Sequence, residues 1–402
     1  MVSKRDHGDG GIDERSPGQY RLRWRVDGKR YSKSFHGPIS DARRELRRLI
    51  KSADDGQHVA PDKLTLAAWV DRWVALLRRG NIDKPRRGLV NTRTLERYED
   101  LMRVHVLPTL GKRPLQRITP SEIDALYTKM EQHLAPATVR FAHAILGACL
   151  AVAVRKGLLL SNPVSRAEPP APGDQNAGQV LDQEQLAALL AGFRGTTLYP
   201  IVATAAFTGA RRNEILALQW SDVNLGDKTL TIARTLEMTK AYGRRFKEPK
   251  TRRGSRTIAI DDALANLLIA EREKHLRIAA GVTDGGSVDL SLIKLPEGAL
   301  VFPSAMGAEF DFTRPRHPQA ITGEFIKRAS KLGFPKLRFH DLRCTHETLL
   351  LDAGVPVHVV AARCGHDPAV LLRVYAKRTK KADTSAAATL GLLSKSVLGA
   401  RD

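Results

Sequence analysis

The sequence predicts a mainly α-helical chain with small antiparallel β elements, divided into several domains. Three observations carry this. The chain has 402 residues, more than a single core usually holds. Apolar residues recur at helical spacing through most of the chain from residue 64, whereas strict alternation is confined to the front. Residues 167–179, AEPPAPGDQNAGQ, are too rich in proline and glycine for a packed element and read as a linker.

Residues 1–55 are expected to form a β-hairpin or small sheet with one helix. Tyr20, Leu22, Trp24 and Val26 alternate with Arg21, Arg23 and Arg25, and Asp27-Gly28 supplies a tight turn. After Ser40, Ala42, Leu46, Leu49, Ile50 and Ala53 make the apolar stripe of a short helix. The arginine face of this sheet is open, and a β-ribbon of that kind fits a major groove as well as it fits water.

SADDGQHVAPDK (52–63) is polar and reads as a second linker. Residues 64–166 read as a helical bundle. Trp69 and Trp73 are four apart, on one face, as core residues would be. The next helix is expected to break at Pro108 and Gly111. Thr119-Pro120-Ser121-Glu122 has the pattern of a helix start, and the long apolar helix after it should end near Gly157. His143, within that helix, reads as a packed side chain.

Residues 180–385 read as one larger mixed α/β domain, opening on a capping pattern at Leu181–Gln185. Strand-like segments are TLTIARTL, GRRFKEPK and SRTIAI, and residues 281–298 read as a surface loop. Residues 386–402 form a tail with Leu390, Leu392, Leu393 and Val397 as an apolar stripe, suited to packing in cis or on a second copy.

The chain carries 65 Lys and Arg against 43 Asp and Glu, a net charge of +22. A polyanion is the expected partner, and nucleic acid the default. Cys149, Cys344 and Cys364 are scattered, which predicts neither a zinc site nor a disulfide framework. The N-terminus lacks an apolar signal core, and no stretch is expected to reach the length of a membrane span. A bacterial cytoplasmic protein is expected.

The C-terminal stretch RFHDLRCTHETLLLDAGVPVHVVAARCGHDPAVLLRVYAK gathers His340, Arg343, His366 and Tyr375. A phenol among cations suits attack on a phosphodiester. Guanidinium and imidazole donors would stabilise charge developing on the non-bridging oxygens. His340 and Arg343 are three apart and are expected on one helix face, with Asp341 as a cap or orienting group. His346 reads as structural. Upstream, TGARRNEI offers Arg211, with Arg212 as the alternative, and Glu214 on the same helix face. Lys250 stands in EPKTRRGSRTIAI, beside Arg252 and Arg253, where any basic hairpin would meet a DNA backbone.

This ordered set resembles the tyrosine recombinase (phage-type integrase) family. The phrases HVLPTLGKRPLQRIT and KGLLLSNPV resemble its core-binding domain, and residues 18–35 resemble the arm-type DNA-binding modules of many phage integrases. Cys364 stands where the family usually has leucine before Gly-His. The resemblance implies an arm-type domain at 1–55, a core-binding domain at 64–166 and a catalytic domain at 180–385. It implies that Tyr375 attacks the scissile phosphate to form a 3′-phosphotyrosine. Arg211, His340, Arg343 and His366 would hold the phosphate, Lys250 would protonate the leaving 5′ oxygen, and Glu214 and Asp341 would support them. No metal or other cofactor is implied. The partners would be double-stranded DNA at core-type and arm-type attachment sites, within a homotetramer that passes through a Holliday junction, with room for a directionality factor. A type IB topoisomerase and a non-catalytic DNA-binding regulator are the competing readings.

Overall fold

The computed structural model describes residues 10–26, 28–54, 63–79, 90–173, 178–249, 254–282, 289–304 and 310–375. Two compact units divide the chain between Gln175 and Asn176.

The first unit opens with three strands, β1 (Gly11–Ser16), β2 (Gln19–Val26) and β3 (Lys29–His36), in the order β1-β2-β3, all antiparallel. The expected hairpin is β2–β3. The added strand β1 has Ile12 as its one large apolar residue, so no alternation marks it; backbone pairing to β2 from Gly11↔Arg23 to Ser16↔Gln19 holds it. Leu22 and Trp24 bury one face of β2 against Ala42 and Leu46 of α1 (Ile39–Asp54). Arg21, Arg23 and Arg25 are exposed on the other face, where Arg23 Nη2 reaches Asp13 at 2.6 Å and Arg21 Nη2 reaches Ser32 at 3.1 Å.

A second core in this unit gathers α2 (Leu66–Arg79), α3 (Thr92–Leu101), α4 (Leu107–Leu110), α5 (Pro120–Glu131) and α6 (Pro136–Arg155). Trp69 and Trp73 are buried in it, and the Trp69 indole donates to the Cys149 carbonyl at 3.2 Å. Pro108 does not break the helix as expected. Residues Met102–Val106 form a π turn, in which Leu107 N–H reaches back five residues to the Met102 carbonyl. The extra residue places Pro108 in the first turn of α4, where its missing N–H is not needed. Thr119 and Glu122 form the reciprocal cap of α5. Helix α6 is, by length and composition, apolar enough to cross a membrane, contrary to the sequence expectation. Its Val139, Ala142, Ile145, Leu146, Cys149 and Leu150 are instead buried in the bundle core.

In the second unit, Asp182 and Gln185 cap α7 (Gln183–Phe193) reciprocally. The apolar α8 (Tyr199–Thr208) runs through the core and ends at Gly209, followed by the single turn α9 (Arg212–Ile215). Strands β4 (Val223–Asn224), β5 (Thr229–Ile232) and β8 (Arg256–Ala259) form one sheet in the order β4-β5-β8; β6 (Thr235–Thr239) and β7 (Gly243–Lys247) form a separate ribbon. The expected single strand TLTIARTL is therefore split. Arg234, at the junction, pairs with the largely buried Asp222 where the chain leaves the first sheet. Helices α10 (Asp262–Ala279), α11 (Pro318–Lys331), α12 (Asp341–Asp352), α13 (Val357–Cys364) and α14 (Pro368–Tyr375) complete the unit.

Candidate active site

Helix α8 must stop where α12 and α13 approach it, and Gly209 allows this. Its φ is +63°, which a side chain disfavours. A Cβ there would lie 2.7 Å from His346 Cδ2 and 2.8 Å from Cys364 Sγ. The buried Gly209 carbonyl, left without a helical partner, accepts from Arg343 Nη1 at 2.6 Å.

Arg211 caps α9 rather than lying within it, so the expected shared helix face with Glu214 is not what joins them. Arg211 N–H donates to Glu214 Oε2 at 2.9 Å, its Nη1 donates to Oε1 at 2.8 Å, and its Nη2 lies 3.5 Å from the Gly365 carbonyl. Glu214 is 4% exposed and also accepts from Arg256 Nη2 at 2.8 Å. Burial raises the Glu214 pKa, but hydrogen bonding and charge from Arg256, then Arg211, outweigh this and hold it below the ordinary carboxylate value. Arg212, the alternative to Arg211, donates to Asn213 and Thr322.

Arg343 is the largest fully buried side chain of the chain's described residues, 2% exposed. Besides the Gly209 carbonyl, it reaches the Cys364 carbonyl through Nη2 at 2.5 Å and His366 Nε2 through Nε at 3.2 Å. Each Nη carries a second N–H, so two donors are left for an anion. Burial pushes its pKa below the ordinary arginine value. His340 precedes the first helical position of α12, outside the helix proper, but its backbone is helical (φ −67°, ψ −23°) and its carbonyl accepts from Arg343 N–H at 3.1 Å. It lines one open cleft of about 560 Å³ with Arg211, Arg212, Arg338 and Arg343. Packing around its ring, with the Arg343 and Arg211 charges, lowers its pKa despite Glu347 and Asp341.

Asp341 is fully buried and accepts from Arg338 N–H and Nη2, each at 2.8 Å. It thus anchors Arg338 on the cleft wall. His346 is structural in its contacts: Arg363 Nε donates to Nε2 at 3.1 Å, leaving Nδ1–H for the Ala206 carbonyl at 2.8 Å. Burial, then the Arg363 charge, lowers its pKa to about 4. His366 follows Gly365, whose φ of +66° ends α13, and its Nε2 lies 2.9 Å from Glu347 Oε1. Cys364 is buried, which pushes its thiol up to about 12.

The structure therefore brings Arg211, Glu214, His340, Arg343 and His366 together. Tyr375 is the last residue of α14, and its side chain lies outside the described residues, as do Lys250, Arg252, Arg253 and the tail 386–402. Sequence reasoning missed Glu347, Arg256 and Arg338. Glu347 stands four residues beyond Arg343, a spacing that signals a contact on one helix; for Arg256 no local signal exists. Among the described residues, no three His, Cys, Asp or Glu side chains gather as metal ligands would.

The model of the Phage integrase family matches residues 179–382, and that of the Phage integrase central domain matches 77–169. An integrase of Streptomyces ambofaciens is 27% identical over 396 residues, covering 94% of this chain and 95% of its own. The Tn1549 transposon integrase, solved with a circular intermediate DNA, has a similar fold: TM-score 0.60, 20% identity, 80% of this chain and 99% of that one. So does a lambda integrase tetramer bound to a Holliday junction, at TM-score 0.54 and 17% identity over 89% of this chain and 95% of that one. With half of its length matched by the first of these models and nearly all of it by the Streptomyces relative, the chain belongs to the phage integrase family of tyrosine recombinases and is a site-specific DNA recombinase.

Proposed function

We propose that Tyr375 is the nucleophile of strand exchange, with Arg211, His340, Arg343 and His366 as the phosphate-binding set and Lys250 as the general acid. The bond from the Tyr375 oxygen to phosphorus forms as the bond from phosphorus to the 5′ oxygen breaks. His340, whose imidazole is held toward its neutral form, accepts the phenol proton, and Lys250 gives one to the 5′ oxygen. The 5′-hydroxyl of a partner duplex then attacks the 3′-phosphotyrosine and restores the phosphodiester. The energy of the broken bond stays in the adduct, so the reaction needs no nucleotide.

The observation that carries this reading is the cleft itself: Arg211, His340 and Arg343 line one opening, and His366 stands against Arg343. Fixed donors in a partly enclosed site suit the extra charge of a pentacoordinate phosphorus. Glu214 orients Arg211, and Asp341 supports the set through Arg338. In this reading the exposed Arg21, Arg23 and Arg25 bind a distant arm-type DNA site, and Arg252 and Arg253 bind DNA backbone beside Lys250. Residues 1–55, 64–166 and 180–385 act as arm-type, core-binding and catalytic domains, and residues 386–402 dock on a neighbouring copy. The lambda integrase tetramer on a Holliday junction is the precedent for four copies on two duplexes. The protein works on DNA in a bacterial cytoplasm, and a directionality factor would be a further partner.

A nicked suicide substrate tests the mechanism. Wild-type protein should accumulate a covalent 3′ adduct, and Tyr375→Phe should form none while still binding DNA. An adduct formed by Tyr375→Phe would remove Tyr375 from its role.

A further inference from the structure

Glu347 is a buried carboxylate for which the phosphate-binding set has no stated use. It lies on α12 one turn beyond Arg343 and is 5% exposed. Its Oε1 is 3.1 Å from Arg343 Nε and 2.9 Å from His366 Nε2, and those two nitrogens are 3.2 Å apart. Three polar atoms from α12 and the turn after α13 thus meet in one triangle, and the carboxylate alone supplies negative charge. Oε1 is buried, and neither contact is aligned as a hydrogen bond, so the geometry is an ion pair with Arg343 beside a close contact with the His366 ring. Burial opposes ionisation, but the His366 contact and the Arg343 charge outweigh it and hold Glu347 below the ordinary carboxylate value.

The neighbouring groups do not substitute for it. Glu214 is committed to Arg211 and Arg256. Asp341 is committed to Arg338. The Cys364 thiol is neutral at ordinary pH, and His346 is held neutral between Arg363 and Ala206. His340 and Arg211 add only cationic or neutral groups on the cleft side. Among the described residues, Glu347 is the one carboxylate at ion-pair distance from either Arg343 or His366. Without it, the 3.2 Å hydrogen bond from Arg343 Nε to His366 Nε2 would lack the carboxylate that lies against both nitrogens.

We propose that Glu347 is a positioning residue for strand cleavage, holding Arg343 and His366 together as a preassembled anion-binding pair. The inference rests on the reading that these two residues hold the scissile phosphate. The carboxylate lies against both nitrogens before binding and offsets the cost of burying the Arg343 charge. It also keeps the pair from reorganising when the phosphate enters, which is where preorganised donors gain their effect.

The experiment compares wild type, Glu347→Gln and Glu347→Ala on the suicide substrate, measuring DNA affinity, the single-turnover cleavage rate and melting temperature. Glu347→Gln keeps the size and removes the charge, so it decides the matter if Glu347→Ala fails to fold. Expected is cleavage slowed about 10- to 100-fold, the scale of a misplaced reacting group, with DNA affinity within about twofold of wild type. In 15N-histidine-labelled protein, the His366 ring signals, assigned by their loss in His366→Gln, should shift in Glu347→Gln. Cleavage by Glu347→Gln at the wild-type rate overturns the proposal. So does a parallel fall of cleavage, DNA affinity and melting temperature, which would mark Glu347 as a fold residue only. If wild type itself forms no adduct, the underlying reading fails instead, so the two failures are distinct.

Discussion

Gly209→Ala should unsettle the second unit where α8, α12 and α13 approach one another. Two costs combine. Gly209 has φ +63°, and an L-residue in that region costs about 1–2 kcal/mol. The new Cβ would meet His346 Cδ2 at 2.7 Å and Cys364 Sγ at 2.8 Å, both side chains held in buried contacts. Overpacking of that kind costs about 1–3 kcal/mol. The sum is roughly 2–5 kcal/mol, and for a unit of this size each kcal/mol lowers the melting temperature by about 2–4 °C. A fall of about 10 °C is therefore expected. Gly195→Ala is the control: φ is +72°, but nothing lies within 4 Å of its added Cβ, so only the backbone cost applies. Scanning calorimetry of the two variants beside wild type isolates the steric part. If Gly209→Ala melts no lower than Gly195→Ala, the close approach of α8, α12 and α13 is not what selects glycine there.

Arg256→Ala should leave the Glu214 carboxylate buried with one cation fewer, destabilising the chain by about 3–5 kcal/mol in urea unfolding; replacing both partners by apolar residues of similar volume should recover most of the loss. His346 is held at about 4 in the fold against an ordinary value of 6.5, so the unfolded chain binds the extra proton first as pH falls. Its stability contribution is complete above pH 6.5 and is lost progressively as pH drops from there to 4. At most about 3 kcal/mol is involved, and His346→Gln should flatten the stability profile across that window by about one proton.

Local reciprocity made much of the fold legible. Thr119 with Glu122, and Asp182 with Gln185, each satisfy backbone donors within four residues, so the sequence shows the helix start directly. Alternation disclosed β2 because one face is buried on α1; β1 carries no such contrast and stayed invisible. Pro108 suggested a break because its missing N–H is local information, whereas the π turn that accommodates it is set by packing of the whole bundle. The same division holds at the site. Arg211, His340, Arg343 and His366 were legible as an ordered set of phosphate-binding types. The buried link from Arg256 to Glu214 spans 42 residues and depends on tertiary approach, whereas Asp341, expected as a cap or orienting group, holds Arg338 only three residues away.

Arg343 ties the end of α8 to the end of α13 through the Gly209 and Cys364 carbonyls while belonging to the proposed phosphate-binding set. A descendant of this chain that lost Arg343 would forfeit both its chemistry and two buried carbonyl partners at once. Selection on folding alone thus preserves part of the cation set after selection on recombination has ceased. Inactive copies in a genome should accordingly show change first at Tyr375, at the end of the last described helix, and last at Arg343. The presence of the arginine is therefore weaker testimony to a working enzyme than the presence of the tyrosine.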